Sequence, residues 1–387
     1  MNDTNDIKTM EQYVTDQDAA YMKRAIQLAK TAGAAVCPNP LVGAVIVKDG
    51  KVIGEGCHER YGELHAERNA LKSCTEDPKD ATVYVTLEPC CHQGKQPPCT
   101  DALIEAGIRK VYVGSPDPNP LASGNGIRIL KEHGIDVVAG VLQDECDAMN
   151  KAFFRHITTG LPYVTMKYAM TLDGKIATSS GKSQWISCEE SRKYVHRMRA
   201  EHNAIMAGIG TVLADDPCLN VRYETGYETV FDPVRIIVDT DLRIPLDAKC
   251  VRMIDGNYRP EQPRTIVATA SDDKVKIRML EQLGVKVLMT NRNEDGMVDL
   301  PFVMKEIGKA GISSVLLEGG GTLNWSMLKH GLVQKAAAFV SPKLFGGEKA
   351  LSPVRGAGVD APDEAFTLQH ATARSVGSDL LIEGEIG

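Results

Sequence analysis

LEPCCHQGKQPPCT, residues 87–100, gathers three of the chain's ten cysteines and a histidine into fourteen residues. It overlaps the end of TVYVTLEP (82–89), a β-branched and aromatic run that reads as a buried strand. It leads into TDALIEAG (100–107), a helical stretch closed by Gly107. Cys90 is thus expected just past a strand end and Cys99 at a helix opening, where the dipole favours a thiolate. A third donor lies in LHAE (64–67), with His65 and Glu67 two residues apart. Inside a helix each residue turns by roughly 100°, so positions i and i+2 point to nearly opposite sides. His65 and Glu67 converge on one point only at a helix start, and Gly62 just upstream allows one there.

An HxE pair alone is usually a solvated helix start, and two cysteines with eight residues between them are a weak signal by themselves. Together, with Pro89-Cys90 following a strand-end Glu88, they predict a metal site. A closed structural site takes four protein ligands, and Cys91 or His92 offers the fourth. Neighbours in an extended segment point to opposite sides, which disfavours Cys90 and Cys91 on one ion. Three ligands, His65, Cys90 and Cys99, beside the non-ligating carboxylate of Glu67 give the arrangement of a catalytic zinc with an open position.

Outward from this stretch the chain alternates strand and helix. AAYMKRAIQLAKTAG (19–33) is helical, and VGAVIV (42–47) with VIGEGC (52–57) reads as a hairpin around Asp49-Gly50. Alternation continues to about residue 157 and predicts one α/β domain over 16–157, after a polar tail at 1–15. Gly160-Leu161-Pro162 interrupts it, and a second α/β domain is expected over 161–387. There YVTMKYAMTLDGKIAT (163–178) reads as a strand pair around Asp173-Gly174, and MIDGNYRPEQP (253–263) as a surface loop. A length of 387 residues agrees with about two domains of ~150–200 residues.

A net charge of −7 without any Lys/Arg block argues against nucleic acid as the main partner. No apolar run approaches the ~18 residues that would span a bilayer, and the polar N-terminus has no signal-like core. A cytoplasmic protein without membrane contact is expected, where clustered cysteines mean metal or catalysis more often than disulfides. A homo-oligomer is left open.

The HxE…PC…C pattern resembles the zinc-dependent cytidine-deaminase superfamily, although that superfamily's cysteines are closer together. The longer spacing, with PNPLVGAVIV (38–47), GEGCHERYGELHAE (54–67) and DPNP (117–120), resembles the bifunctional deaminase/reductase family of riboflavin biosynthesis. The likeness continues through MTLDGKIAT (170–178), SQWI (183–186), GTVLADDPCLNVR (210–222), LEGGGTLNWS (317–326) and PKLFGG (342–347). It implies a three-layer cytidine-deaminase-like mixed sheet, then a dihydrofolate-reductase-like sheet flanked by helices. It also implies zinc-dependent deamination of 2,5-diamino-6-(5-phosphoribosylamino)pyrimidin-4-one, followed by NADPH-dependent reduction of the ribosyl side chain to ribityl. A nucleoside or RNA deaminase with a C-terminal binding domain is the alternative.

Carried over position by position, the resemblance makes Glu67 the catalytic acid/base and Asn39 and His58 pyrimidine contacts. Read alone, these last two are a turn asparagine and a surface histidine. In the second half there is no Rossmann fingerprint. Two glycine-containing strand-to-helix turns, MAGIGTVLADDP (206–217) and SVLLEGGGTLNWS (314–326), instead suit a nucleotide at the carboxyl edge of a sheet. The resemblance places NADPH against Ala169, Trp185, Thr211, Asp215, Thr240, Gly320, Gly321, Thr322, Leu323, Asn324, Trp325 and Ser326. It places the substrate against Ser183, Arg199, Leu219, Arg222 and Glu318, with both arginines suited to the 5-phosphate. Read alone, Arg199 belongs to a solvated helix face.

Overall fold

The computed structural model describes residues 14–119 and 123–387. The expected tail therefore lies outside the described residues over positions 1–13, as does Pro120 of DPNP. The chain divides into two compact units, one running to Thr159 and including Tyr227–Thr229, the other comprising Gly160–Gly226 and Val230–Gly387.

The first unit is built on five strands, β1 (Gly43–Lys48), β2 (Lys51–Cys57), β3 (Thr82–Leu87), β4 (Lys110–Ser115) and β5 (Asp136–Ala139), in the order β2-β1-β3-β4-β5. Asp49 and Gly50 both take positive φ, as a two-residue hairpin requires, so β1 and β2 pair antiparallel. β1 is also antiparallel to β3, and β3, β4 and β5 are mutually parallel, which makes the sheet mixed.

Strand alternation sends Val45 and Val47 to one face, where Met22, Ala25 and Ile26 of α1 (Asp16–Lys30) cover them. Ala44 and Ile46 go to the other face, beneath α2 (Ala66–Lys72), α3 (Cys99–Glu105) and α4 (Asn125–Glu132). Helices α5 (Gln143–Met149) and α6 (Lys151–Thr159) complete a three-layer unit. Glycines in β2 set how closely α2 approaches. A Cβ at Gly54 would stand 2.5 Å from Ala70 O, and one at Gly56 2.4 Å from Ala70 N.

The second unit has nine strands: β6 (Tyr163–Thr171), β7 (Ala204–Gly208), β8 (Val234–Val238), β9 (Thr265–Thr269), β10 (Val285–Met289), β11 (Ser314–Leu317), β12 (Lys335–Ser341), β13 (Leu368–Val376) and β14 (Asp379–Ile386). Their order is β10-β9-β8-β7-β11-β6-β12-β14-β13, parallel from β10 to β12, with an antiparallel hairpin at one edge. Helices α7 (Glu189–Glu201), α8 (Ile209–Asp215), α9 (Lys249–Arg252) and α10 (Lys274–Gln282) follow in the chain, then α11 (Leu300–Lys309) and α12 (Gly321–Lys329). Two apolar clusters, around Val315/Met304/Met327 and around Ile205/Leu280/Phe339, lie on opposite faces of the sheet. Among the described residues no helix is long and apolar enough to cross a membrane.

One expected element is absent. The stretch 163–178 forms the single strand β6, not a strand pair, because both lanes beside β6 are taken by the parallel strands β11 and β12. The turn at Asp173 is instead fastened to the segment after β12, its carboxylate accepting from Phe345 N at 3.1 Å and Gly346 N at 2.6 Å.

Candidate active sites

His65 is the N-cap of α2 in extended conformation and Glu67 lies in that helix's first turn, the one place where the two can converge. Cys99 is the first residue of α3, and its backbone N–H donates to both the carbonyl and the sulfur of Cys90, at 3.0 and 3.3 Å. Arg68 holds the segment between the cysteines by donating to Pro97 O at 3.3 Å and Pro98 O at 2.8 Å.

The donor atoms of His65, Cys90 and Cys99 all lie within 4.8 Å of one another, with His65 Nδ1 at 3.4 Å from Cys90 Sγ and 3.5 Å from Cys99 Sγ. Zinc bonds of roughly 2.0 Å to nitrogen and 2.3 Å to sulfur span tetrahedral edges of about that length, so this donor set fits zinc. Cys91 and His92 are not part of the cluster. Hydrogen bonds from Cys99 and His65 hold the Cys90 thiol far below the usual thiol range, against the cost of burial. Glu67 is 3% exposed. Burial, with the nearby Cys90 thiolate, pushes its carboxyl up to about 7.

A cavity of about 300 Å³ opens onto these groups, lined also by Asn39, His58, His92, Lys95, Asp117 and Asn119. His58 is no surface residue, being 2% exposed. Its Nδ1 donates to Leu64 O at 3.0 Å, which leaves Nε2 to accept from Asn39 Nδ2 at 3.1 Å. Burial lowers its pKa, in keeping with a neutral ring. Lys95, over the Tyr61 ring at 3.9 Å, and Asp117 were not singled out by sequence reading, since a loop lysine and a turn aspartate carry no pattern of their own.

Two further cavities lie at the carboxyl ends of the strands of the second unit. The first, of about 420 Å³, is lined by Thr211, Asp215, Thr240, Gly320, Gly321, Thr322, Leu323 and Ser326. It sits where adjacent β7 and β11 lead into α8 and α12, whose first N–H groups lack intrahelical acceptors. Gly320, the N-cap of α12, keeps this mouth open: its Cβ would meet nothing nearer than Thr211 Oγ1 at 3.7 Å. The residues fit the phosphates of a dinucleotide. Arg243 and Arg355 also line this cavity and escaped the sequence reading.

The second, of about 470 Å³, is lined by Ala169, Ser183, Trp185, Arg199, Leu219, Arg222 and Glu318, and shares Ser183, Thr211, Asp215 and Gly320 with the first. Asn324 and Trp325 line neither cavity. Asn324 is buried and donates to Pro353 O at 2.8 Å, while Trp325 packs edge-on against Phe366. Arg199 does not lie on a solvated face: it is 12% exposed and pairs with Glu318, to which Lys167 also donates at 3.4 Å. Its Nε and Nη2 are given to Glu318 and its Nη1 to Asn220 O. Burial works to raise the Glu318 carboxyl, but the charges of Arg199 and Lys167 outweigh it and hold it at about 2.

Comparison with known proteins agrees with this division. Residues 15–115 match the cytidine and deoxycytidylate deaminase zinc-binding region, and residues 162–382 match the RibD C-terminal domain. The riboflavin biosynthesis protein RibD of Actinobacillus pleuropneumoniae is 48% identical over 98% of this chain and 96% of its own length. That of Escherichia coli (strain K12) is 38% identical over 95% and 98%. Acinetobacter baumannii RibD superposes with a TM-score of 0.85 at 37% identity, covering 96% of this chain and 99% of that one. A deaminase/reductase from Thermotoga maritima gives 0.83 at 36% identity, covering 96% and 99%. A reductase family matched across the second unit disfavours a deaminase with a mere binding domain. With a zinc-binding deaminase unit and an NADPH-dependent reductase unit in one polypeptide, the chain belongs to the RibD family of bifunctional riboflavin biosynthesis enzymes.

Proposed function

We propose that the two units carry separate catalytic centres, with Glu67 acting in the first and the cavities beside β7 and β11 serving the second. The observation that carries this reading is the convergence of His65, Cys90 and Cys99 next to a buried carboxyl, in a unit distinct from that of the glycine turns. The starting substrate is 2,5-diamino-6-(5-phosphoribosylamino)pyrimidin-4-one, and 5-amino-6-(5-phosphoribitylamino)uracil is the final product.

His65, Cys90 and Cys99 hold zinc, which when bound supplies the Lewis acidity that activates water at neutral pH. Glu67 takes one proton from the attacking water and delivers it to the ring nitrogen, then takes the second from the new C–OH and delivers it to the amino group, which departs as ammonia as the C–N bond breaks. The Glu67 carboxyl is buried beside the ligand cluster without belonging to it, which leaves it free to move protons there. His58 orients the Asn39 amide, and the two hold the pyrimidine edge.

In the second unit the turn at Gly320–Thr322 with Thr211 and Thr240 holds NADPH, which when bound supplies a hydride. Leu219, Ser183 and the Arg199–Glu318 pair shape the substrate side, and Arg222 meets the 5-phosphate. The partner is then a phosphorylated pyrimidine and not a nucleic acid. Ten free cysteines suit a cytoplasmic location. Anaerobic incubation with the diaminopyrimidine phosphate and NADPH tests the reading. Ammonia release and NADPH oxidation in equal amounts are expected, whereas ammonia without oxidation would refute the second half.

A further inference from the structure

Five cationic side chains, those of Lys167, Arg192, Arg199, Arg222 and Lys249, line the larger cavity of the second unit. Lys167 and Arg199 share Glu318, and Lys249 pairs with Asp216 at 3.4 Å. Arg192 donates to Ser187 O at 2.7 Å and lies over the Trp185 ring. Arg222, like Arg192, donates to a neutral acceptor, here Asn220 Oδ1 at 2.9 Å, which leaves its charge for an anionic ligand.

Arg222 stands on a segment without regular structure, in which Asp216 and Leu219 both take positive φ. No ladder fixes the backbone there, so point contacts must. Asn220 O accepts from Arg199 at 3.0 Å, Val221 N donates to Asp232 Oδ1 at 2.8 Å, and Arg222 N donates to His196 Nδ1 at 3.0 Å. His196 lies on α7 one turn before Arg199, is 4% exposed, lines the same cavity, and packs edge-on against Tyr223 with centroids 4.8 Å apart.

We propose that His196 is a positioning residue for the reductase step: by accepting the Arg222 N–H it fixes the backbone from which the phosphate-binding guanidinium projects. The proposal rests on the assignment of Arg222 to the substrate phosphate. A ring that accepts at Nδ1 and is neutral carries its proton on Nε2. Burial first, then the charges of Arg199 and Arg222, push the His196 pKa down to about 3, which keeps the acceptor available.

The test uses the full chain with His196→Leu, His196→Asn and Arg222→Met, supplied with the deaminated intermediate in its phosphorylated and dephosphorylated forms. Losing the fixed guanidinium should raise KM for the phosphorylated form by about tenfold in His196→Leu, the equivalent of one modest contact. The dephosphorylated form should be little affected, and ammonia release and NADPH affinity should stay unchanged. Asparagine offers an acceptor close to the place of Nδ1 and should recover KM to within about threefold. If His196→Leu changes KM for both forms equally, or weakens NADPH binding as much, the positioning role is wrong. An Arg222→Met protein that still discriminates the two forms would overturn the assignment of Arg222 itself. Loss of discrimination in Arg222→Met alone would sink only the role of His196.

Discussion

Arg199 and Glu318, 119 residues apart in the chain, meet as a bidentate pair with Nε–Oε1 at 2.6 Å and Nη2–Oε2 at 3.0 Å. Both side chains are close to nine-tenths covered, and Lys167 completes the group. In Glu318→Gln two cations lose their common counter-charge, which should cost about 3–5 kcal/mol at pH 7.

The same pair sets an acid dependence. Glu318 is held at about 2 in the folded chain, below the ~4.3 of an unfolded glutamate, so its contribution is complete above that unfolded value. It is lost as pH falls toward 2. Urea unfolding of the parent and Glu318→Gln proteins from pH 7 to pH 3 should show their stabilities converging with acid. A constant gap would contradict the linkage.

Cys91 is predicted to be dispensable for metal. Cys91→Ser should retain one zinc per chain, whereas Cys90→Ser and Cys99→Ser should lose it, as read by metal analysis after dialysis. Equal loss from Cys91→Ser would break the three-ligand assignment.

Gly320 and Gly321 should respond differently to alanine. A Cβ on Gly320 meets only Thr211 Oγ1 at 3.7 Å, so Gly320→Ala should fold normally yet fill the cradle and raise the Kd for NADPH by about tenfold. A Cβ on Gly321 meets Ser352 O at 2.6 Å, so Gly321→Ala should also destabilise the fold, by about 1–3 kcal/mol. Fluorescence titration with NADPH and thermal unfolding separate the two.

Local chemistry made much of this legible. Asp49-Gly50 set the first hairpin, and the cysteine at a helix opening and the histidine before a first turn gave the metal cluster. The same Asp-Gly signal misled at Asp173-Gly174, because the availability of a lane beside β6 is decided by β11 and β12, more than a hundred residues later. The hairpin β13–β14 escaped because β13 is exposed along nearly its whole length and shows no alternation. The pairing of Arg199 with Glu318 was equally hidden, since nothing near either residue in sequence reports the other. Of the residues that the resemblance assigned to NADPH in this turn, Gly320, Gly321, Thr322, Leu323 and Ser326 line the first cavity, whereas Asn324 and Trp325 line neither.

Glu67→Gln should keep its zinc, because the carboxylate is not in the ligand cluster, and should lose ammonia release by a factor of roughly 10²–10⁴, because an amide cannot shuttle a proton. Metal content and ammonia measured on the same sample check this. Full ammonia release would remove Glu67 from the chemistry.

If the two units hold independent centres, a two-by-two assay of Glu67→Gln and Asp215→Ala against both steps will separate them. Asp215 lines both cavities of the second unit and accepts from Ser183 Oγ at 3.2 Å. Sites built on separate compact units should not couple strongly. Glu67→Gln given the deaminated intermediate should therefore oxidise NADPH at close to the parent rate, while Asp215→Ala should impair that oxidation and leave ammonia release intact. Loss of both activities from either single change, in protein shown to be folded, would mean one shared centre in place of two.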